Sequence, residues 1–137
     1  MIAYLDSSVL LRVVLGQSDA LPQWAKIEDG VASRLVEVEC LRTLDRLRLL
    51  ESLNDHEIAI RREAVFRLID SLEIVELTRP VLARASQPMP TTLGTLDAIH
   101  LATALMWAEH AGSELVMATH DQALATAARA SGLRVIG

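Results

Sequence analysis

The chain has 137 residues, 51% of them hydrophobic, and a formal charge of −5. That size and apolar content bound it to one domain with a sizeable core. The acidic balance argues against broad adhesion to nucleic acid through a basic surface, although it does not exclude a nuclease. Apolar runs such as residues 98–108, broken by His100, fall short of the roughly 20 residues that a bilayer span needs. The opening Met1-Ile2-Ala3-Tyr4-Leu5-Asp6 lacks the basic-then-apolar order of a signal peptide, and the single Cys40 admits no intrachain disulfide. A cytoplasmic protein is therefore expected, with Cys40 as a small buried hydrophobe. Of the thirteen basic residues all but Lys26 are Arg; the planar guanidinium suits phosphate, but most of these positions read as solvated helix faces.

In chain order, residues 2–5 predict a short strand ending at Asp6, and residues 7–15 continue as a helix stopped by Gly16, with Ser7 or Ser8 able to cap it. A short helix is expected over 21–27, then Asp29-Gly30 and a brief strand over 31–33. A long helix follows over about 35–50, where Val38, Leu41, Leu44 and Leu47 recur at helical spacing as its buried face, with Arg42, Asp45, Arg46 and Arg48 mostly outside it. Asp55-His56-Glu57 opens the next helix with acids in its first turn, and Ile58, Val65, Leu68 and Ile69 supply an apolar stripe to about Ser71. The two helices form a hairpin. Residues 73–77 alternate as a strand, and Thr78-Arg79-Pro80 opens a short helix ended by Pro88 and Pro90.

Residues 87–94 read as a loop before the helix that carries Asp97 and runs to about Gly112. Residues 115–119 predict a buried strand leading to Asp121, residues 122–131 a helix up to Gly132, and residues 133–136 a last short strand. Strands and helices alternate, which predicts an α/β fold: a short, mostly parallel central sheet flanked by helices, with ligands beyond the carboxyl ends of the strands. Asp6 and Asp121 fall at such ends. Asp97 lies in the first turn of an otherwise small and apolar helix, and Glu39 lies a turn or so beyond the 31–33 strand. If the four converge, their like charges need protons or a divalent cation. Hard carboxylate oxygens with no His or Cys ligand set favour Mg²⁺ or Mn²⁺ over Zn²⁺, and the natural chemistry is phosphodiester hydrolysis.

Tyr4-Leu5-Asp6-Ser7-Ser8, then Ser33 with Glu39 and Arg42, then Leu96-Asp97-Ala98-Ile99-His100-Leu101-Ala102-Thr103-Ala104, then Thr119-His120-Asp121-Gln122-Ala123-Leu124 together resemble the ordered motifs of PIN-domain ribonucleases. The wording around Asp97 and the size of the chain most resemble VapC toxins of type II toxin–antitoxin systems. The resemblance implies a single PIN-like domain over residues 1–137 and a metal-dependent endoribonuclease toxin that hydrolyses RNA. It implies that Asp6, Glu39, Asp97 and Asp121 hold Mg²⁺ or Mn²⁺. It further implies a homodimer, held inactive by a small VapB-like antitoxin whose tail lies across the acids.

Ser8 and Thr119 are candidates for orienting a carboxylate or a bound water, although hydroxyls at strand ends often satisfy local backbone groups. Arg42 can touch substrate phosphate or pair with acids one turn away, and the local pairing is favoured. His100, one turn after Asp97, reads as a satisfied core histidine rather than a ligand, and Trp24 and Trp107 as packing residues. A phosphoacceptor receiver domain fits less well, because Asp6 is followed by two serines and Lys26 is the only lysine; Ser8 likewise argues against a haloacid-dehalogenase-type phosphatase. The alternative function is a catalytically inactive PIN-fold module that binds RNA or protein.

Overall fold

The computed structural model describes residues 1–137. Five short strands, β1 (Ile2–Leu5), β2 (Asp29–Ser33), β3 (Glu73–Val75), β4 (Val116–Ala118) and β5 (Arg134–Ile136), form one sheet in the order β3-β2-β1-β4-β5. Every neighbouring pair is parallel. The chain builds outward from β1 to β3 and then returns to the other side of β1 for β4 and β5. The direction of winding therefore reverses between β1 and β4, the place where open α/β sheets leave a crevice beyond their carboxyl ends. The register pairs Leu5 with Ala118, which sets Asp6 beside Thr119.

Successive side chains of a strand point to opposite faces, and the strands of this sheet feed two cores accordingly. Ala3, Leu5, Ala32 and Ala118 face α1 (Ser7–Val14), α2 (Leu35–Glu51) and α3 (Asp55–Asp70), where Val9, Leu10, Val36, Cys40, Leu44, Val65 and Ile69 are buried against them. Tyr4, Val31 and Met117 face α5 (Thr95–Ala111) and α6 (Gln122–Ala130), and meet Leu101, Ala104, Leu124 and Ala127. The short α4 (Arg79–Ala85) packs on α5. No helix is long and apolar enough to cross a membrane.

Two helix ends show how local chemistry starts and stops them. Asn54 and Glu57 form a reciprocal capping box on α3, the Asn54 side chain accepting from the Glu57 amide at 2.8 Å and the Glu57 carboxylate from the Asn54 amide at 3.2 Å. Gly112 closes α5 at a φ of 61°, in the left-handed region that glycine adopts without a Cβ penalty.

Four details differ from the sequence reading. Residues 21–27 yield only a one-turn 3₁₀ segment, Trp24–Lys26. β2 begins two residues earlier than expected, at Asp29, because Ile2 pairs with it and extends the ladder. β3 stops at Val75, beyond which Glu76 leaves the sheet to pair with Arg34. On α2 the buried face is Val36, Cys40 and Leu44, whereas Val38 is 52% exposed and Leu41 and Leu47 are only partly covered. Apolar residues surround this helix, so periodicity admits more than one stripe; docking on β2 and α3 selects the one whose small Val and Cys side chains allow close approach.

This phase is testable by equilibrium urea unfolding. Leu44→Ala is expected to cost about 2–5 kcal/mol with an unchanged m-value, and Val38→Ala to stay within about 0.5 kcal/mol of the parent.

Candidate active site

Asp6 follows the last residue of β1 in extended backbone and occupies the N-cap of α1, yet its side chain caps nothing. The residue is only 4% exposed. Ser8 Oγ donates to its Oδ2 at 2.7 Å and Thr119 Oγ1 donates to the same oxygen at 2.6 Å, while Ser7 Oγ donates to Oδ1 over a longer 3.3 Å. The serines expected to cap α1 thus turn to Asp6 instead. Both hydroxyls are themselves held in place: Ser8 Oγ accepts from the backbone N–H of His120, and Thr119 Oγ1 from that of Asp121, each at 3.0 Å. A backbone donor fixes each hydroxyl, and the hydroxyl fixes the carboxylate. Ser8 and Thr119 thus both bond the Asp6 carboxylate as well as backbone groups.

Glu39 sits one turn into α2 and is held from the far side of the sheet. His100 Nε2–H donates to Glu39 Oε1 at 2.7 Å, and Tyr4 Oη bonds Nδ1 of the same ring at 2.7 Å. A carboxylate only accepts, so the proton on the neutral ring belongs on Nε2 and the Tyr4 hydroxyl donates to Nδ1. His100 is completely buried. Burial opposes its charge, but the hydrogen bond to Glu39 and the fields of Glu39, Asp6 and Asp97 outweigh that and raise its pKa. Burial, followed by the charge of Asp6, holds the Tyr4 phenol well above its ordinary value, so Tyr4 stays a donor. His100 is buried, as the sequence suggested, but it is also polar machinery. Spacing put Tyr4 on the strand face of Asp6 and His100 on the helix face of Asp97, but it held no signal for the bond to Glu39.

Asp97 occupies the first turn of α5. Its carboxyl pKa is raised, first by burial and then by the charges of Asp121 and Asp6, with a smaller push from Glu39, while His100 opposes them. Asp97 thus feels the charges of the other three acids at one rim of the sheet. Asp121 is the N-cap of α6, and its Oδ1 accepts from the Leu124 amide at 2.9 Å, so capping occupies one of its two oxygens. The side chains stand apart rather than closed on a point: no three His, Cys, Asp or Glu groups form a ready-made cage for an ion.

Arg42 pairs with Asp45 at 3.8 Å, the local pairing that the sequence favoured, although with an acid one turn onward rather than with Glu39. It lines, with Arg46, Ser7 and Leu96, a groove of about 320 Å³ that reaches Glu39. The largest cavity, about 580 Å³ between α4, the following loop and the start of α5, is lined by none of the four acids, so volume does not mark this site. Burial, then the charges of Glu39 and Asp6, pushes the Cys40 thiol up to about 12, which leaves it an unreactive core side chain. Trp107 packs on the second core and also donates its indole N–H to Glu73 at 2.8 Å.

A parallel α/β sheet with acids gathered over its winding reversal defines the class. Residues 3–130 match the PIN domain, and the chain belongs to the PIN-domain family. It is 33% identical to Ribonuclease VapC46 of Mycobacterium tuberculosis over 97% of this chain and 95% of that one. Among solved structures it is similar to FitAcB from Neisseria gonorrhoeae, with a TM-score of 0.69 and 19% identity over 100% of this chain and 97% of that one. It is also similar to VapBC2 from Rickettsia felis bound to a DNA fragment from their promoter, with a TM-score of 0.65 and 15% identity over 98% and 97%.

The crowding of acids sets the sign of a stability effect. Because the folded-state pKa of Asp97 is raised, its contribution favours the fold below the ordinary aspartate range and is lost as pH rises through the raised value. Metal-free Asp97→Asn is therefore expected to melt above the metal-free parent at pH 7, with the gap closing as the pH falls into the carboxylate range. Differential scanning calorimetry in chelator checks this, and a lower melting temperature for the variant at pH 7 contradicts it.

Proposed function

We propose that this chain is a VapC-like toxin: a Mg²⁺- or Mn²⁺-dependent endoribonuclease, cytoplasmic, restrained by a small VapB-like antitoxin. The observation that carries the reading is the treatment of the acids. One oxygen of Asp6, of Glu39 and of Asp121 is claimed by donors of the protein, through Ser8 and Thr119, through His100 and through the Leu124 amide respectively. A second oxygen on each is left with at most a long hydrogen bond, and the raised Asp97 carboxyl answers to burial and neighbouring charges. Carboxylates with one oxygen anchored and one free are how proteins present hard ligands to a cation, and the donor set fits Mg²⁺ or Mn²⁺. The family and the kinship with a protein named a ribonuclease support the same reading.

When bound, such an ion supplies Lewis-acid activation of water and of the scissile phosphoryl group. Asp6, Asp97, Glu39 and Asp121 are the residues that would hold it. Ser8 and Thr119 keep Asp6 in a fixed rotamer, so that no ordering of that side chain is left for the moment of reaction. The groove past Arg42 and Arg46 leads the anionic strand to Glu39, where guanidinium groups can meet flanking phosphates. Val38 and Leu96, 52% and 50% exposed, give the same rim an apolar edge suited to a protein partner. The two-protein VapBC2 assembly supports an antitoxin as that partner.

Cleavage of RNA by the purified chain in Mg²⁺ or Mn²⁺ tests the reading. Activity is expected to vanish in chelator, to return with either ion, and to fall by at least about 100-fold in Asp6→Asn and Asp97→Asn. Equal traces for parent and variants would leave the non-catalytic binding module in its place.

A further inference from the structure

α2 and α5 cover opposite faces of the sheet, with Val36, Cys40 and Leu44 in one core and Leu101 and Ala104 in the other. Across the end of the sheet they are joined by one side chain. His100 leaves α5, is completely buried, and reaches Glu39 of α2 with Nε2 while Tyr4 of β1 bonds its Nδ1 from behind, both at 2.7 Å. The phenol and imidazole rings meet edge-on, 5.9 Å between centroids and 72° between planes. A buried imidazole costs stability unless both nitrogens are satisfied, and here each has one partner. A leucine at position 100 would need no partner at all. Hydrogen-bonding geometry, rather than volume, accounts for a histidine among Leu, Ala and Ile.

We propose that His100, backed by Tyr4, is a positioning residue that holds Glu39 Oε1 and so leaves Oε2 as the oxygen offered to a divalent cation; this rests on the reading of Glu39 as a metal ligand. Free to rotate, the glutamate would have to be ordered at each binding event. Tied by Oε1, it is presented in one orientation. The role is distinct from ligation, because Nε2 is engaged by the carboxylate and Nδ1 by the phenol, and neither nitrogen is left for a metal. It is also distinct from catalysis, because the ring has no exposed surface with which to touch a substrate.

Mn²⁺ titration of the purified protein by calorimetry, with melting temperature recorded for every variant, separates positioning from a purely structural role. His100→Asn retains a group near Nδ1 but cannot reach Glu39, and is expected to weaken Mn²⁺ binding by about 10–100-fold. His100→Gln retains a donor near Nε2 and is expected to recover most of that loss, whatever it does to the melting temperature. In a Glu39→Gln background, His100→Asn is expected to cause no further loss of affinity. Unchanged affinity in His100→Asn, failure of His100→Gln to do better than His100→Asn, or a full additional loss on top of Glu39→Gln would each overturn the proposal. Should His100→Asn not fold, Tyr4→Phe carries the comparison, with an expected weakening of about two- to tenfold from the lost hydrogen bond, and equal affinity overturns it. A parent that takes up no Mn²⁺ sinks the metal reading itself and this inference with it. A parent that binds, lost in Asp6→Asn but indifferent to position 100, sinks this inference alone.

Discussion

A carboxylate buried at the end of the central strand organises this molecule. Asp6 is almost fully enclosed, and a charge in such a place carries a penalty of several kcal/mol unless donors replace the lost water. Ser8 from α1 and Thr119 from the end of β4 supply them, each bond to a charged group contributing roughly 1.5–3 kcal/mol. Because those hydroxyls are in turn held by the amides of His120 and Asp121, the first helix, the central strand and the β4–α6 connection are tied into one polar knot at the reversal of winding. Removing any one member would leave the others short of a hydrogen-bond partner.

Around that knot the fold collects charges that oppose one another. Asp97 sits in the first turn of α5, where the positive end of the helix dipole favours an anion, yet burial and the neighbouring acids still raise its pKa. The arrangement is locally unfavourable, and the divalent cation proposed for this site would relieve it. The two apolar cores on either side of the sheet supply the stability against which this is set.

Much of this was legible in the chain itself. The strand at residues 2–5, the acids in its wake, the acidic first turn of α3 at Asp55 and Glu57, and the glycine stop at Gly112 are local signals, complete within a turn or two of sequence. Less legible was which stripe of α2 would be buried: Val38 and Val36 are equally apolar, and only the surfaces of β2 and α3 distinguish them. The brevity of the 3₁₀ segment at Trp24–Lys26 and the early start of β2 belong to the same class, since pairing with β1 sets the strand boundary.

The sequence by itself determined most of the elements and which acids stand at their ends, because caps, breakers and hydrophobic period act over a few residues. Tertiary structure alone decided how each acid is held, because the donors come from far along the chain. Thr119 is 113 residues from Asp6, and His100 is 61 from Glu39. No pattern of spacing could show that a histidine reading as core would reach across the end of the sheet. That bond exists because the parallel order β3-β2-β1-β4-β5 sets α2 and α5 on opposite faces with their first turns at one rim.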